Sequence, residues 1–220
     1  MARLNIIGVG PGSPDYVTPA ARRIVEEAQL VIGAQRSIDL FSTEIKGESC
    51  ILKAKNLKDV LEQAAEFVKN SKNVVLLSTG DPGFSGLLHT VHESGLFTKS
   101  NINVVAGVSS IQTCAARLNL SWTNASLFSF HDEVSDEQKE KLLSAVKGGV
   151  TILLLPNPRN FTPKDIANFL IDLGVDKESP VCICENLTLE SEKITTGTLD
   201  KISKMTFGSL CVMVIKRDIS

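Results

Sequence analysis

Three glycine-rich segments stand at the ends of short apolar runs. The first is Gly8-Val9-Gly10-Pro11-Gly12, closing the run that opens at Leu4. The second is Ser78-Thr79-Gly80-Asp81-Pro82-Gly83-Phe84, after Val74–Leu77, and the third is Ala106-Gly107-Val108-Ser109-Ser110, after Ile102. Gly80 and Gly83 permit backbone conformations that other residues resist, and Pro82 stiffens the turn. Asp81 can accept from a hydroxyl or an ammonium group. Ser109 or Ser110 can cap a following helix, whose first amides favour an anionic group such as a carboxylate. Each segment alone also reads as an ordinary strand-to-helix turn. Three of them at strand ends point to a ligand at the carboxyl edge of a sheet.

The same residues exclude the commonest nucleotide sites. A G-x-G-x-x-G fingerprint finds Ser13 in its third place, and Pro11 has no N–H to offer a pyrophosphate. The run Leu30–Gly33 ends without an acidic residue for a ribose, which disfavours a nicotinamide-dependent oxidoreductase. No G-x-x-x-x-G-K-[ST] occurs. No nucleophile stands in a triad arrangement. Of five cysteines, Cys182 and Cys184 form a C-x-C inside an apolar run, where alternation puts both on one face of a strand, so they read as core. The three histidines supply no metal-ligand spacing, so no metal site is expected. His89 and His92 read as structural.

The elements that must position these loops alternate between strand and helix. Strand patterns cover Leu4–Val9, Leu30–Gly33, Asn73–Ser78, Ile102–Ala106, Ser126–Phe130, Val150–Leu155, Val181–Glu185, Lys193–Thr196 and Leu210–Ile215. Helical patterns cover Thr18–Ala28, Leu57–Asn70, Phe84–Ser94, Ser110–Leu118, Asp136–Val146 and Pro163–Leu173. Leu57, Val60, Leu61, Ala64, Ala65 and Val68 recur at the spacing of one buried helix face. Thr162-Pro163 reads as N-cap then first helical residue, and Gly174 as the residue just past a helix end. This alternation predicts an α/β protein with a largely parallel N-terminal sheet. The last three strand patterns have linkers too short for helical crossovers, so a mixed sheet is expected there. The division falls near Ala106–Ser110, giving an N-terminal α/β domain over 1–108 and a C-terminal one over 109–220.

The 220 residues carry a net charge of −2, with 43% hydrophobic and 22% charged residues. That composition excludes disordered and fibrous classes. It gives no electrostatic footprint for nucleic acid, and Trp122 and Tyr16 form no base-stacking array. No apolar run approaches the about 20 residues of a membrane span, and no signal peptide is visible. With scattered, odd-numbered cysteines, these features lead to the expectation of a reduced, cytoplasmic protein.

The sequence resembles the tetrapyrrole methylases of corrin and siroheme synthesis from Leu4 to about Lys216. GVGPGSPDYVTPAA is similar to the family's opening loop and helix, with Val17-Thr18 for its usual Leu-Thr. STGDPGFSG is similar to its Gly-Asp-Pro loop. VVAGVSSIQTCAARLNL is similar to its Pro-Gly-x-Ser-Ser segment, with Ala106 in place of proline. Within the family, GAQRSIDLF at 33–41, Ser109-Ser110-Ile111-Gln112 and CENLTLESEKITTGTL at 184–199 are most similar to the branch that methylates C5 of a cobalt-precorrin. That branch commonly has Ser-x-His-Gly-Arg. Here His131 is followed by Asp132-Glu133, so the role of that arginine does not carry over.

The resemblance implies a two-domain fold with a cleft between the domains for S-adenosylmethionine (SAM). The reaction implied is methylation of cobalt-precorrin-7 at C5 to give cobalt-precorrin-8. Gly10 and Pro11 would border the cleft. Gly80, Asp81, Phe84, Ser109 and Ser110 would hold SAM, with Pro156 and Leu187 enclosing it. A polycarboxylate ring needs cations, and the candidates are Arg36 and Arg159. His131 is the candidate base or hydrogen-bond donor. The resemblance further implies a homodimer. It also implies the C5 step alone, with any C15-methylating, decarboxylating partner a separate protein. The alternatives are another precorrin or uroporphyrinogen methylase, and a metabolite-binding α/β protein without catalysis.

Overall fold

The computed structural model describes residues 2–131 and 134–216. Asp132-Glu133, which stand where the related branch has Gly-Arg, lie outside the described residues. The chain divides into two compact units, residues 1–109 and 110–220.

The first unit alternates strands β1 (Leu4–Gly8), β2 (Leu30–Gly33), β3 (Glu48–Ile51), β4 (Val74–Ser78) and β5 (Ile102–Val105) with helices α1 (Pro19–Glu26), α2 (Gln35–Asp39), α3 (Leu57–Lys69) and α4 (Leu87–Glu93). Its sheet has the order β3-β2-β4-β1-β5, and every pairing is parallel. The near-continuous apolar strands have the reason expected of parallel sheets, which are covered on both faces. Ile7, Val31, Val75 and Leu77 face Ala21 and Val25 of α1. Leu4, Ile6, Leu30, Ile32, Val74 and Leu76 face Val60, Leu61 and Ala64 of α3 and Val91 of α4.

The second unit contains α5 (Ser110–Arg117), β6 (Ser126–Ser129), α6 (Asp136–Lys147), β7 (Ile152–Leu155), α7 (Pro163–Asp172), β8 (Pro180–Glu185), β9 (Lys193–Thr198), α8 (Leu199–Ile202) and β10 (Cys211–Ile215). The sheet order is β6-β7-β10-β8-β9. Only β6 and β7 pair in parallel, and the other three pairings are antiparallel, so the mixed sheet is present. One face packs α6, α7 and α8 around Phe130, Phe161, Ile183 and Met213. Phe130 meets Phe161 edge-on, with ring centroids 5.1 Å apart, the geometry aromatic quadrupoles favour. Thr162 caps α7 with Pro163 in its first turn, and Gly174 follows it at φ +83°.

Among the described strands and α-helices, three leave no pattern in the sequence. β3 is an edge strand whose residues are exposed or half-buried, so it has no apolar alternation. α2 and α8 are five and four residues long, too short to show a period. The helix read over Phe84–Ser94 begins only at Leu87. Ser85 sits at φ +57° and Gly86 is extended, which leaves Phe84 in the loop. The buried Ser78 hydroxyl accepts from the Leu87 N–H at 3.2 Å and so anchors the true helix start.

Candidate functional site

In the first unit, parallel pairing sends the carboxyl ends of β1, β4 and β5 to one edge of the sheet. All three glycine-rich segments therefore meet there. The Gly80 N–H donates to the Gly10 carbonyl at 2.9 Å, with Gly10 at φ +83° and Gly80 at φ +69°. An added Cβ on Gly107 would lie 2.3 Å from the Gly80 oxygen and 2.6 Å from the Gly8 Cα. The three backbones thus touch at a point where a side chain has no room. Gly80 differs on its outer side. A Cβ there would meet only the Ser109 Cα, at 3.8 Å. The positive φ demands glycine, and the space beside it is open to a ligand.

Asp81 sits at the centre of this junction. One carboxylate oxygen accepts from the Gly83 N–H at 2.8 Å, and the other from the Gly107 N–H at 3.0 Å. The carboxylate therefore fastens the third loop to the second, and any ligand contact is additional to that work. Phe84 is half-buried in the same loop, its N–H donating to the Asp81 carbonyl. Ser109 is buried immediately before α5, which begins at Ser110. Pro11 is half-buried just past the Gly10–Gly80 bridge. Arg36, exposed on α2, reaches the carboxyl end of β4 and donates to the Thr79 hydroxyl at 3.2 Å. The first unit thus brings together Gly10, Pro11, Gly80, Asp81, Phe84, Ser109 and Arg36.

The second unit makes a corresponding edge by a different route. β10 runs antiparallel to both β7 and β8, so β6, β7 and β8 point the same way. His131 follows β6, Pro156 and Arg159 follow β7, and Leu187 follows β8. Pro156 and Leu187 are buried, and His131 and Arg159 are exposed. Asn157, which sequence reasoning passed over, organises this edge. Its Oδ1 accepts from the N–H groups of Arg159 at 2.9 Å and Asn160 at 3.0 Å. Its Nδ2 donates to the His131 carbonyl at 3.4 Å, tying the β6 and β7 ends together. The Asn157-Pro158 dipeptide was the available signal, since Asn-Pro marks a turn built on the asparagine side chain.

Cys182 and Cys184 lie buried on one face of β8, as the alternation predicted. Cys114 of α5 donates to Cys184 at 3.4 Å, and that bond together with burial holds the Cys114 thiol well above its ordinary range. Burial likewise pushes the Cys211 thiol up to about 12. Burial also raises the Cys182 thiol, so Cys114, Cys182 and Cys211 are packing groups that stay protonated at neutral pH, while the Cys184 sulfur, which accepts from Cys114, is held below its ordinary value. Among the described residues, no three His, Cys, Asp or Glu side chains gather as a metal site requires. No helix among them is long and apolar enough to cross a membrane.

The model of the tetrapyrrole (corrin/porphyrin) methylases matches residues 3–203. The chain belongs to the tetrapyrrole methylase family. A probable cobalt-precorrin-7 C(5)-methyltransferase of Methanocaldococcus jannaschii is 38% identical over 98% of both chains. A crystal structure of a precorrin-6Y methylase from Archaeoglobus fulgidus superposes with a TM-score of 0.73 at 23% identity, covering 99% of each chain. A uroporphyrin-III C-methyltransferase from Thermus thermophilus, complexed with S-adenosylhomocysteine, superposes with a TM-score of 0.75 at 22% identity, covering 98% of this chain and 92% of that one. SAM is the methyl donor of tetrapyrrole methylases. The loop junction fits such a donor. It offers close-approach backbone at Gly10 and Gly80 and open space beside Gly80.

Proposed function

We propose that this chain is a SAM-dependent C-methyltransferase of corrin-ring synthesis that methylates C5 of cobalt-precorrin-7 to give cobalt-precorrin-8. The observation that carries the reading is the 38% identity to the Methanocaldococcus jannaschii relative over 98% of both chains. The glycine junction at the carboxyl edge of the first sheet supports it.

SAM supplies a methyl carbon on a positively charged sulfur, an activated leaving group that departs as a neutral thioether. The chain's own task is then alignment, which can supply much of a barrier reduction when reacting atoms are held close and in line. Gly10, Pro11, Gly80, Asp81, Phe84, Ser109 and Ser110 are the residues proposed to hold SAM. The resemblance to the family adds Pro156 and Leu187. Asp81 acts chiefly through the backbone it fastens. Arg36 and Arg159 are proposed to take ring carboxylates, because guanidinium groups match carboxylates with paired hydrogen bonds. His131 is proposed as the proton-handling group, since the ring must adjust its protons as the new bond forms. A homodimer, and contact with a separate C15-methylating enzyme, extend the same family reading.

The test is incubation of the purified protein with SAM and cobalt-precorrin-7. Mass spectrometry should find one added methyl group, and carbon NMR should place it on C5. Methylation at another ring carbon would move the chain to a different branch of the family. Calorimetric binding of S-adenosylhomocysteine, with NAD as control, should show the first and not the second. Binding without turnover of any precorrin would favour a metabolite-binding role.

A further inference from the structure

The segment between β8 and β9 adopts a conformation that one of its residues resists. Asn186 and Thr188 both lie in the left-handed region, at φ +50° and φ +71°. Asparagine tolerates that region, but a β-branched threonine is an outlier there. Such a residue persists only where its surroundings over-determine it. Leu187, between the two, is buried.

Two contacts supply the constraint. Glu192 closes the segment, and its Oε2 accepts from the Thr188 N–H at 2.6 Å. Its Oε1 accepts from Nε of Arg117, in the last turn of α5, at 2.7 Å. Three residues earlier on α5, and so on the same helix face, Cys114 contacts Cys184 at the start of the segment. One face of α5 therefore grips the chain on both sides of Leu187. The same helix begins at Ser110, directly after the third glycine-rich loop.

We propose that Glu192, oriented by Arg117, is a positioning residue for SAM binding: it holds Thr188 in the left-handed conformation that presents Leu187. The proposal rests on the reading of this chain as SAM-binding with Leu187 among the contacts. Glu192 touches no reacting atom. Removing its carboxylate takes away the bond that the Thr188 N–H makes to it, and the segment then spends less time in the competent shape. Apparent affinity falls in proportion to that fraction. The effect therefore belongs to cofactor affinity and not to methyl transfer within the bound complex.

The experiment is calorimetric titration with S-adenosylhomocysteine of the wild type, Glu192→Ala, Glu192→Gln and the double variant Glu192→Ala/Thr188→Asn. Circular dichroism of each checks folding. Glu192→Ala should weaken binding about tenfold, and the KM for SAM should rise in step while kcat falls far less. Glu192→Gln should recover part of the affinity, because its amide oxygen still accepts from Thr188 while its NH2 cannot accept from Arg117. Thr188→Asn should recover part of it in the Glu192→Ala background, because asparagine accepts the left-handed region. Wild-type affinity in Glu192→Ala overturns the proposal, as does a folded double variant with no recovery. If Glu192→Ala fails to fold, Arg117→Gln carries the same test with an expected loss of about threefold, and unchanged affinity there overturns it. A wild type that binds no S-adenosylhomocysteine overturns the SAM reading and this inference together, and that failure is visible without any variant.

Discussion

Gly107 carries the tightest steric constraint among the proposed cofactor loops. Replacing it with alanine sets a methyl group against the backbone of Gly80 and Gly8, neither of which can swing away. Gly107→Ala should cost about 1–3 kcal/mol in urea unfolding and weaken S-adenosylhomocysteine binding by calorimetry. Asp81 works beside it through charge. Its two oxygens satisfy two backbone N–H groups, each bond to a charged acceptor being worth about 1.5–3 kcal/mol. Asp81→Ala should therefore weaken cofactor binding by releasing the third loop, and an unchanged dissociation constant would remove Asp81 from the site. Asp81→Asn should fall between the two, since its single side-chain oxygen can serve only one of the N–H groups well. Arg36, which reaches Thr79, is the residue whose loss should raise the substrate KM more than it disturbs SAM affinity.

At the scale of elements, α5 and the segment after β8 are linked by an ion pair with a defined pH signature. The Arg117 guanidinium, bonded to Glu192, and then the Thr188 N–H hold the Glu192 carboxyl below the usual carboxylate range. Its folded value is thus lower than its unfolded value of about 4.3. The stability this adds is present in full above the unfolded value and is lost as pH falls through the folded one. Both side chains are partly exposed, 39% for Arg117 and 21% for Glu192, so the contribution is at most about 1 kcal/mol. Urea unfolding of wild type against Arg117→Ala should show a stability gap that is flat above about pH 5. The gap should narrow steadily below pH 4. A gap independent of pH would mean that the pair with Glu192 adds no stability.

For the whole molecule, a net charge of −2 sets no attractive field for a polycarboxylate ring. Recognition must then come from local cations, and such contacts weaken as salt shortens the screening length. The KM for the precorrin should rise between 0.05 and 0.5 M salt, about twofold or more, while the affinity for S-adenosylhomocysteine should change far less. The Arg36→Ala/Arg159→Ala pair should flatten that salt slope, and an unaltered slope would place the substrate elsewhere. The sequence by itself determined the α/β class, the parallel first sheet, the mixed second sheet and the three glycine-rich segments. Those features are local: apolar runs, helix periods, caps and linker lengths are set by neighbours in the chain. It could not show β3, α2 or α8, because an exposed edge strand carries no apolar alternation and one-turn helices are too short to show a period. Nor could it show that Asp81 spends its carboxylate on Gly83 and Gly107, that Asn157 ties the His131 turn to the Arg159 turn, or that Arg117 reaches Glu192. Asp81 and Gly107 stand 26 residues apart, and Arg117 and Glu192 stand 75 apart. Partners at such separations meet only once strand order has fixed which loop ends share an edge, and that order was the decision of the tertiary structure.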